Sequence, residues 1–199
     1  LADPLVLQTL PEDEIRNGMA EVIKHGIIGD PGLLDFCQAL YRQGVLPGKA
    51  ATGHVNVAES PASSWTRPEI DSWTSLVRRA MAVKIQVILD DPFEQGRRAT
   101  LNLGHTLGHA IERASSYQVK HGEAVAIGTM AVLRAAVRMG LSSPQFYEEL
   151  YELFDQAGLS TQIPPNLAPE TLFAAMTFDK KRKGGKVRFV LPIQPGEVR

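Results

Sequence analysis

With one cysteine, Cys37, in 199 residues, the chain can form no internal disulfide; a reducing, cytoplasmic setting is the expectation. Cys37 itself reads as a small buried apolar side chain. Charge of one sign is also lacking. Lysine and arginine number 21 against 22 aspartates and glutamates, a net of −1, so no nucleic acid is expected as a partner. No stretch approaches the roughly 20 apolar residues needed to span a bilayer, and no membrane partner is expected. The N-terminus lacks the basic and apolar segments of a signal peptide. No G-x-G-x-x-G dinucleotide turn occurs, nor any internal repeat. What remains, 44% hydrophobic and 22% charged, is the composition of a globular protein able to bury one good core. Because Leu1-Ala-Asp-Pro carries no initiator methionine, the chain is expected to be a fragment.

Apolar spacing predicts a mainly α protein. Pro11-Glu-Asp-Glu suits the positive end of a helix over 11–28, with Ile15, Met19, Val22 and Ile23 on one face. Further helices are expected over about 33–43, 69–90, 99–114, 122–139, 144–157 and 169–177. The 69–90 helix would bury Trp73, Val77, Met81, Val83 and Ile85, among others. Residues 44–68 are rich in Gly, Ala, Ser and Pro without a period and read as a loop or insertion, with His54 solvated. Only Lys186-Val-Arg-Phe-Val-Leu-Pro192 alternates as a strand would, so at most a short β element near 186–193 is expected.

The chemistry is concentrated in Asn102-Leu-Gly-His105-Thr-Leu-Gly-His109-Ala-Ile-Glu112 and His121-Gly-Glu123. Histidines four apart share a helix face, so His105 and His109 could reach one metal ion or substrate. His121 could join them only if the polar break Ser115-Ser-Tyr-Gln118 makes a turn. Glu21 and Lys24 lie three apart among apolar neighbours, either as a surface ion pair or as a carboxylate and cation at a site. Lys84 is a lone cation in an apolar run, and Arg97, Arg98 and Glu94 lie just upstream of the histidines. Asp179-Lys-Lys-Arg-Lys-Gly-Gly-Lys186 reads as a solvated loop or one that closes over an anion. Two classes follow from these residues: a metal-dependent lyase or hydrolase acting on a phosphorylated acid, and a non-catalytic helical interaction module.

Four blocks, in order, resemble the signature segments of the 3-dehydroquinate synthase family: Gly18-Met-Ala-Glu-Val-Ile-Lys24, Leu101-Asn-Leu-Gly-His-Thr-Leu-Gly-His-Ala-Ile-Glu112, His121-Gly-Glu-Ala-Val-Ala-Ile-Gly128 and Asp179-Lys-Lys181. The resemblance covers nearly the whole chain except 44–68. It implies the helical C-terminal domain of a two-domain α/β plus α enzyme, with the NAD-binding half missing and residues 1–199 alone inactive. The implied reaction, in aromatic amino-acid biosynthesis, converts 3-deoxy-D-arabino-heptulosonate 7-phosphate to 3-dehydroquinate and phosphate. NAD and a divalent metal, Zn2+ or Co2+, are the implied cofactors; the partners would be a phosphorylated sugar acid and a second copy in a homodimer.

Residue by residue, the resemblance implies Glu21, His105 and His121 as metal ligands, with His109 an acid/base group instead of a fourth ligand. Glu94 matches a second proton acceptor. Lys24, Lys84, Arg98, Asn102 and one of Lys180 or Lys181 match substrate-binding positions, and Val6, Leu7, Gln8, Thr9 and Asn17 match NAD contacts. Related sugar-phosphate cyclases, such as 2-deoxy-scyllo-inosose synthase, are the alternative. Arg98 and His109 favour the dehydroquinate branch, because a substrate without a carboxylate would not need that guanidinium.

Overall fold

Three charges open the central helix: Glu12, Asp13 and Glu14 occupy the first turn of α1 (Glu12–Gly29), next to the positive end of the helix dipole. The computed structural model describes residues 2–49, 65–180 and 187–199, the side chains of 178–180 excepted. His54, Lys181 and most of the 44–68 segment therefore lie outside the described residues. α1 buries Met19, Ala20, Ile23 and Ile27 at helical spacing and packs against α2 (Pro31–Arg42), α3 (Arg67–Asp90) and α5 (His121–Arg138). Asp30 joins α1 to α2, and Arg79 of α3 grips its carboxylate through Nε and Nη2 at 2.8 and 2.7 Å. A fork of this kind fixes orientation as well as distance.

α3 starts at a capping box, in which the Thr66 backbone N–H donates to the Glu69 carboxylate at 2.7 Å. Trp73, Leu76, Ala80, Val83 and Val87 form its buried stripe, and Trp65 stacks on Trp73 at 4.9 Å. Met81 and Ile85, expected in that stripe, are exposed instead, together with Leu89 and Phe93. Met81, Ile85 and Leu89 lie four residues apart along the opposite face of the helix, and Phe93 follows its end, so apolar content alone misassigned the first two. Cys37 is buried on α2, and burial pushes its thiol up to about 12, which leaves it inert.

The expected helix over 99–114 is two elements. A 3-10 turn, Arg97–Asn102, is followed by α4 (His105–Ala114), and Gly104 between them has φ +76. That left-handed conformation suits glycine, and a Cβ there would also meet Thr129 Oγ1 and the Val125 carbonyl of α5. Ser116 and Tyr117, with φ 53 and 61, make the turn that brings α5 back along α4. α5 is buried over most of its length, from Gly122 to Ala136. α6 (Pro144–Gln156) packs on α5 and α2, and α7 (Pro169–Lys180) on α4.

The expected strand is displaced. Residues 187–191 are not in a strand; β1 (Pro192–Gln194) pairs antiparallel with β2 (Glu197–Val198) across a turn at Gly196. Alternation needs a partner to become a ladder, and the partner here is the last few residues of the chain. Gly196 N–H donates to the Ile27 carbonyl at 3.0 Å, tying this hairpin to α1. A short 3-10 turn, Pro4–Thr9, precedes α1 and packs against α3; nothing in its sequence is periodic. Among the described residues, no helix is long and apolar enough to cross a membrane.

Candidate metal and substrate site

Two histidines open their helices: His105 is the first residue of α4 and His121 the first of α5. Both rings aim Nε2 at one oxygen. Glu21 Oε1, from the middle of α1, lies 3.3 Å from His105 Nε2 and 3.4 Å from His121 Nε2. The other carboxylate oxygen is engaged by Lys24, whose Nζ lies 2.6 Å from Oε2 and also donates to the Leu101 carbonyl at 2.9 Å. Lys24 is thus a buried ammonium, its side chain 4% exposed, and not the surface half of an ion pair. Burial works to raise the Glu21 pKa, but the approach of His105 and the charge and hydrogen bond of Lys24 outweigh it and hold the carboxyl well below the usual range. Burial also pulls the Lys24 pKa down, with Glu21 opposing.

These residues fit a divalent cation. His105 Nδ1 sits 2.9 Å from the Leu103 carbonyl, which can only accept, so that nitrogen carries the proton and Nε2 presents a lone pair in the neutral ring. Glu21 Oε1 is buried with no hydrogen-bond partner, an arrangement that is costly without a positive charge beside it. Ligands about 2.0–2.2 Å from a tetrahedral ion stand roughly 3.3–3.6 Å apart, close to the spacings seen. The three ligand atoms lie within 4.8 Å of one another. His109 is one turn along α4, exposed, with its ring centroid 5.3 Å from that of His105. It groups with Glu112 and His121 and not with Glu21 and His105, so sharing a helix face does not put His105 and His109 into one set of donors.

A second polar feature organises the loop between α3 and the 3-10 turn. Asp91 is buried and accepts the backbone N–H groups of Gln95, Gly96 and Arg98 at 2.8, 2.7 and 2.9 Å. Those bonds, Arg98's foremost, hold its carboxyl below the usual range. Glu94 lies inside the loop at φ 55, a conformation that glutamate seldom adopts unaided. Arg98 is half-buried and donates Nη1 to the Pro92 carbonyl at 3.0 Å. An aspartate followed by Pro92 and then Gly96 was the available sign of a side-chain-capped loop.

Lys84 is exposed on α3, close enough for its charge to act on Lys24 and His25. Asn102 is exposed at the end of the 3-10 turn. Lys180 ends α7 with its side chain outside the described residues. Val6, Gln8 and Thr9 are exposed on the Pro4–Thr9 turn, where Thr9 Oγ1 donates to the Val6 carbonyl at 2.8 Å, and Leu7 is half-buried. Asn17 faces α5, its side-chain oxygen accepting from the Gly122 N–H.

His25, next to Lys24, is buried, and its Nδ1 has no hydrogen-bond partner. Burial first, then the Lys24 charge, pull this imidazole from 6.5 down to about 4, with Glu21 opposing. Between those two values an unfolded chain binds a proton that the folded chain refuses. Stability is therefore full above 6.5 and lost as the pH falls towards 4. The expected loss is about 3 kcal/mol across that window. Urea unfolding at several pH values should show it, and His25→Phe should flatten the curve there. The further loss below about 4.5, where the unfolded chain protonates Glu21 and then Asp91 while the folded one keeps both ionised, should remain.

Residues 18–182 match the family described as 3-dehydroquinate synthase C-terminal. The 3-dehydroquinate synthase of Synechocystis sp. is 40% identical over 197 residues, covering 98% of this chain and 49% of the relative. That of Nostoc punctiforme is 41% identical over 199 residues, covering 100% and 50%. The chain thus spans about half the length of the curated relatives it matches. Among solved structures, a Streptomyces hygroscopicus 2-epi-5-epi-valiolone synthase with NAD+ and Zn2+ bound superposes with a TM-score of 0.77 at 23% identity, over 99% of this chain and 49% of that one. A 2-deoxy-scyllo-inosose synthase complexed with carbaglucose-6-phosphate, NAD+ and Co2+ gives 0.72 at 22% identity, over 100% and 50%. At those identities the structures speak for the fold, and the matches in sequence speak for the lineage: the chain belongs to the 3-dehydroquinate synthase C-terminal family.

Proposed function

We propose that this chain is the metal- and substrate-binding half of a 3-dehydroquinate synthase, which turns 3-deoxy-D-arabino-heptulosonate 7-phosphate into 3-dehydroquinate and phosphate. The convergence of Glu21 Oε1, His105 Nε2 and His121 Nε2 carries the reading. Glu21, His105 and His121 would hold Zn2+ or Co2+, leaving coordination positions open, and the ion supplies polarisation of substrate hydroxyl and carbonyl oxygens. NAD, when bound, would supply reversible hydride acceptance at a secondary alcohol, the chemistry that acidifies the neighbouring C–H. Its main binding half would lie outside these 199 residues, with Val6, Leu7, Gln8, Thr9 and Asn17 adding contacts from this side. The exposed stripe Met81, Ile85, Leu89 and Phe93 would then face that half, and the 199 residues alone would not turn over.

In this reading the side chains bind, orient and move protons. Arg98 forks onto the substrate carboxylate, its backbone fixed by Asp91. Lys24 directs two of its three N–H donors at Glu21 and Leu101 and offers the third to a substrate oxygen. Lys84, with Lys180 or Lys181, meets the phosphate as point charges, and Asn102 hydrogen-bonds a hydroxyl. His109 and Glu94, both exposed, would take and return protons as phosphate leaves and the ring closes.

The test is phosphate release from the heptulosonate phosphate by the complete protein with NAD and Zn2+, lost on chelation and restored by metal. A folded, metal-loaded and NAD-bound protein that releases none would overturn the reading. Arg98→Ala should raise KM about 10–100-fold, the worth of a charge-assisted hydrogen-bonded pair. Unchanged kinetics would sink the carboxylate assignment and move the reading towards cyclases whose substrates carry no carboxylate.

A further inference from the structure

We infer that Glu112 is a positioning residue for the metal site, holding His121 with its proton on Nδ1 so that Nε2 faces Glu21 as a bare donor. This rests on the Glu21, His105 and His121 assignment proposed above. Glu112 lies near the end of α4, and its Oε1 is 3.2 Å from His121 Nδ1, on the opposite side of the ring from Glu21. Its side chain is 14% exposed, so water competes little for that contact.

The need for such a residue follows from imidazole chemistry. A neutral ring carries one N–H and can place it on either nitrogen. For His105 the choice is made by the Leu103 carbonyl. His121 begins α5, its side chain is 42% exposed, and the Glu112 carboxylate takes the place that the carbonyl has for His105. Without an acceptor at Nδ1, the proton can sit on Nε2, 3.4 Å from Glu21 Oε1. A hydrogen bond to the carboxylate would then fill the position where the ion must bind. A carboxylate behind a ligating histidine also makes the ring more basic towards the metal.

Glu112 also forms a donor group with His109 and His121, so direct ligation is the competing interpretation. The structure separates the two carboxylates. Glu21 Oε1 is buried without a hydrogen-bond partner, whereas Glu112 Oε1 accepts from the His121 ring. The unsatisfied oxygen marks where a cation is needed.

The experiment compares Glu112→Ala and Glu112→Gln in the purified protein. Ring tautomers are read from long-range 15N–1H correlations of the metal-free state, and affinity from Zn2+ titration. In the unmutated protein both His105 and His121 should carry Nδ1–H. Glu112→Ala should shift His121 towards Nε2–H, leave His105 as it was, and weaken Zn2+ binding about 10–100-fold. Glu112→Gln, whose amide oxygen still accepts, should keep most of the affinity. An unchanged His121 tautomer in Glu112→Ala overturns the inference, whatever happens to affinity. So does an equal loss of Zn2+ in His109→Ala, which would make Glu112 a ligand. If Glu112→Ala does not fold, Glu112→Gln decides: weakened binding with an unchanged tautomer overturns the inference. Glu21→Gln that still retains Zn2+ would instead overturn the site assignment, which keeps the two failures apart.

Discussion

Gly122→Ala is expected to destabilise the metal-free protein and to weaken Zn2+ binding at the proposed site together. Gly122 follows His121 in the first turn of α5, where that helix sits directly on α1. A Cβ there would run into the Asn17 carbonyl, while the Gly122 N–H is already committed to the Asn17 side chain. Main-chain atoms cannot rotate aside as a side chain would, so the start of α5 has to move away from α1. Lys120, paired with Asp13 at 2.5 Å and Glu14 at 2.6 Å, would be dragged with it. His121 is the adjacent residue, and its Nε2 reaches Glu21 across this same contact. Overpacking of a tight contact costs about 1–3 kcal/mol, and a ligand displaced by an ångström loses much of its metal bond. Gly18 of α1 provides the control. Nothing lies within 4 Å of a Cβ built there, so Gly18→Ala should gain about 0.5–1 kcal/mol from helix propensity. Urea unfolding of the metal-free variants and Zn2+ titration measure both effects. A Gly122→Ala protein as stable and as tight as its parent would mean that α1 and α5 do not meet at this contact.

That contact also shows what could be read from the residues in advance. The helices were legible because their apolar positions recur at three and four residues, as with Met19, Ile23 and Ile27 on α1. The same spacing continued through Leu103, Leu107 and Ile111, and it hid the break. Gly104 was the visible warning, and only its positive φ and the crowding by Thr129 show why the chain must turn there. The break has a consequence for the site: it makes His105 the first residue of α4 and points its Nε2 at Glu21. Spacing alone paired His105 with His109, since periodicity reports which face a residue occupies and not where its ring nitrogens aim. Glu21 as a partner of residues 84 and 100 positions further on rested on family resemblance; the chain's own pattern left it between surface ion pair and site. Asp91 and Glu112 were passed over for a related reason. Each acts through hydrogen bonds fixed by turns, a contact that no period encodes.

Glu21→Gln and His121→Ala are both expected to abolish retention of stoichiometric Zn2+ after dialysis, yet to differ sharply in the metal-free protein. Glu21 serves two partners with two oxygens: Oε1 faces the imidazoles and Oε2 neutralises Lys24. Replacing it by an amide removes the counter-charge of an ammonium that is almost wholly buried. Breaking one side of a buried pair leaves the other charge uncompensated at about 3–5 kcal/mol, reduced here because the amide oxygen can still accept from Nζ, so about 1–3 kcal/mol is expected. Lys24 also holds the Leu101 carbonyl at 2.9 Å, so a shifted ammonium would release the turn leading to Asn102 and His105. His121 makes no comparable contribution. Its side chain is 42% exposed, and truncating it should change metal-free stability by less than about 1 kcal/mol. Urea unfolding in excess chelator isolates that difference, and metal content after dialysis gives the shared effect. Equal stability losses would show that Lys24 does not depend on Glu21. Zn2+ retained by either variant would place the ion elsewhere. The expected split makes Glu21 the link between the two halves of the proposed site: Oε1, buried without a hydrogen-bond partner, calls for a cation, and Lys24 neutralises Oε2 in the metal-free protein.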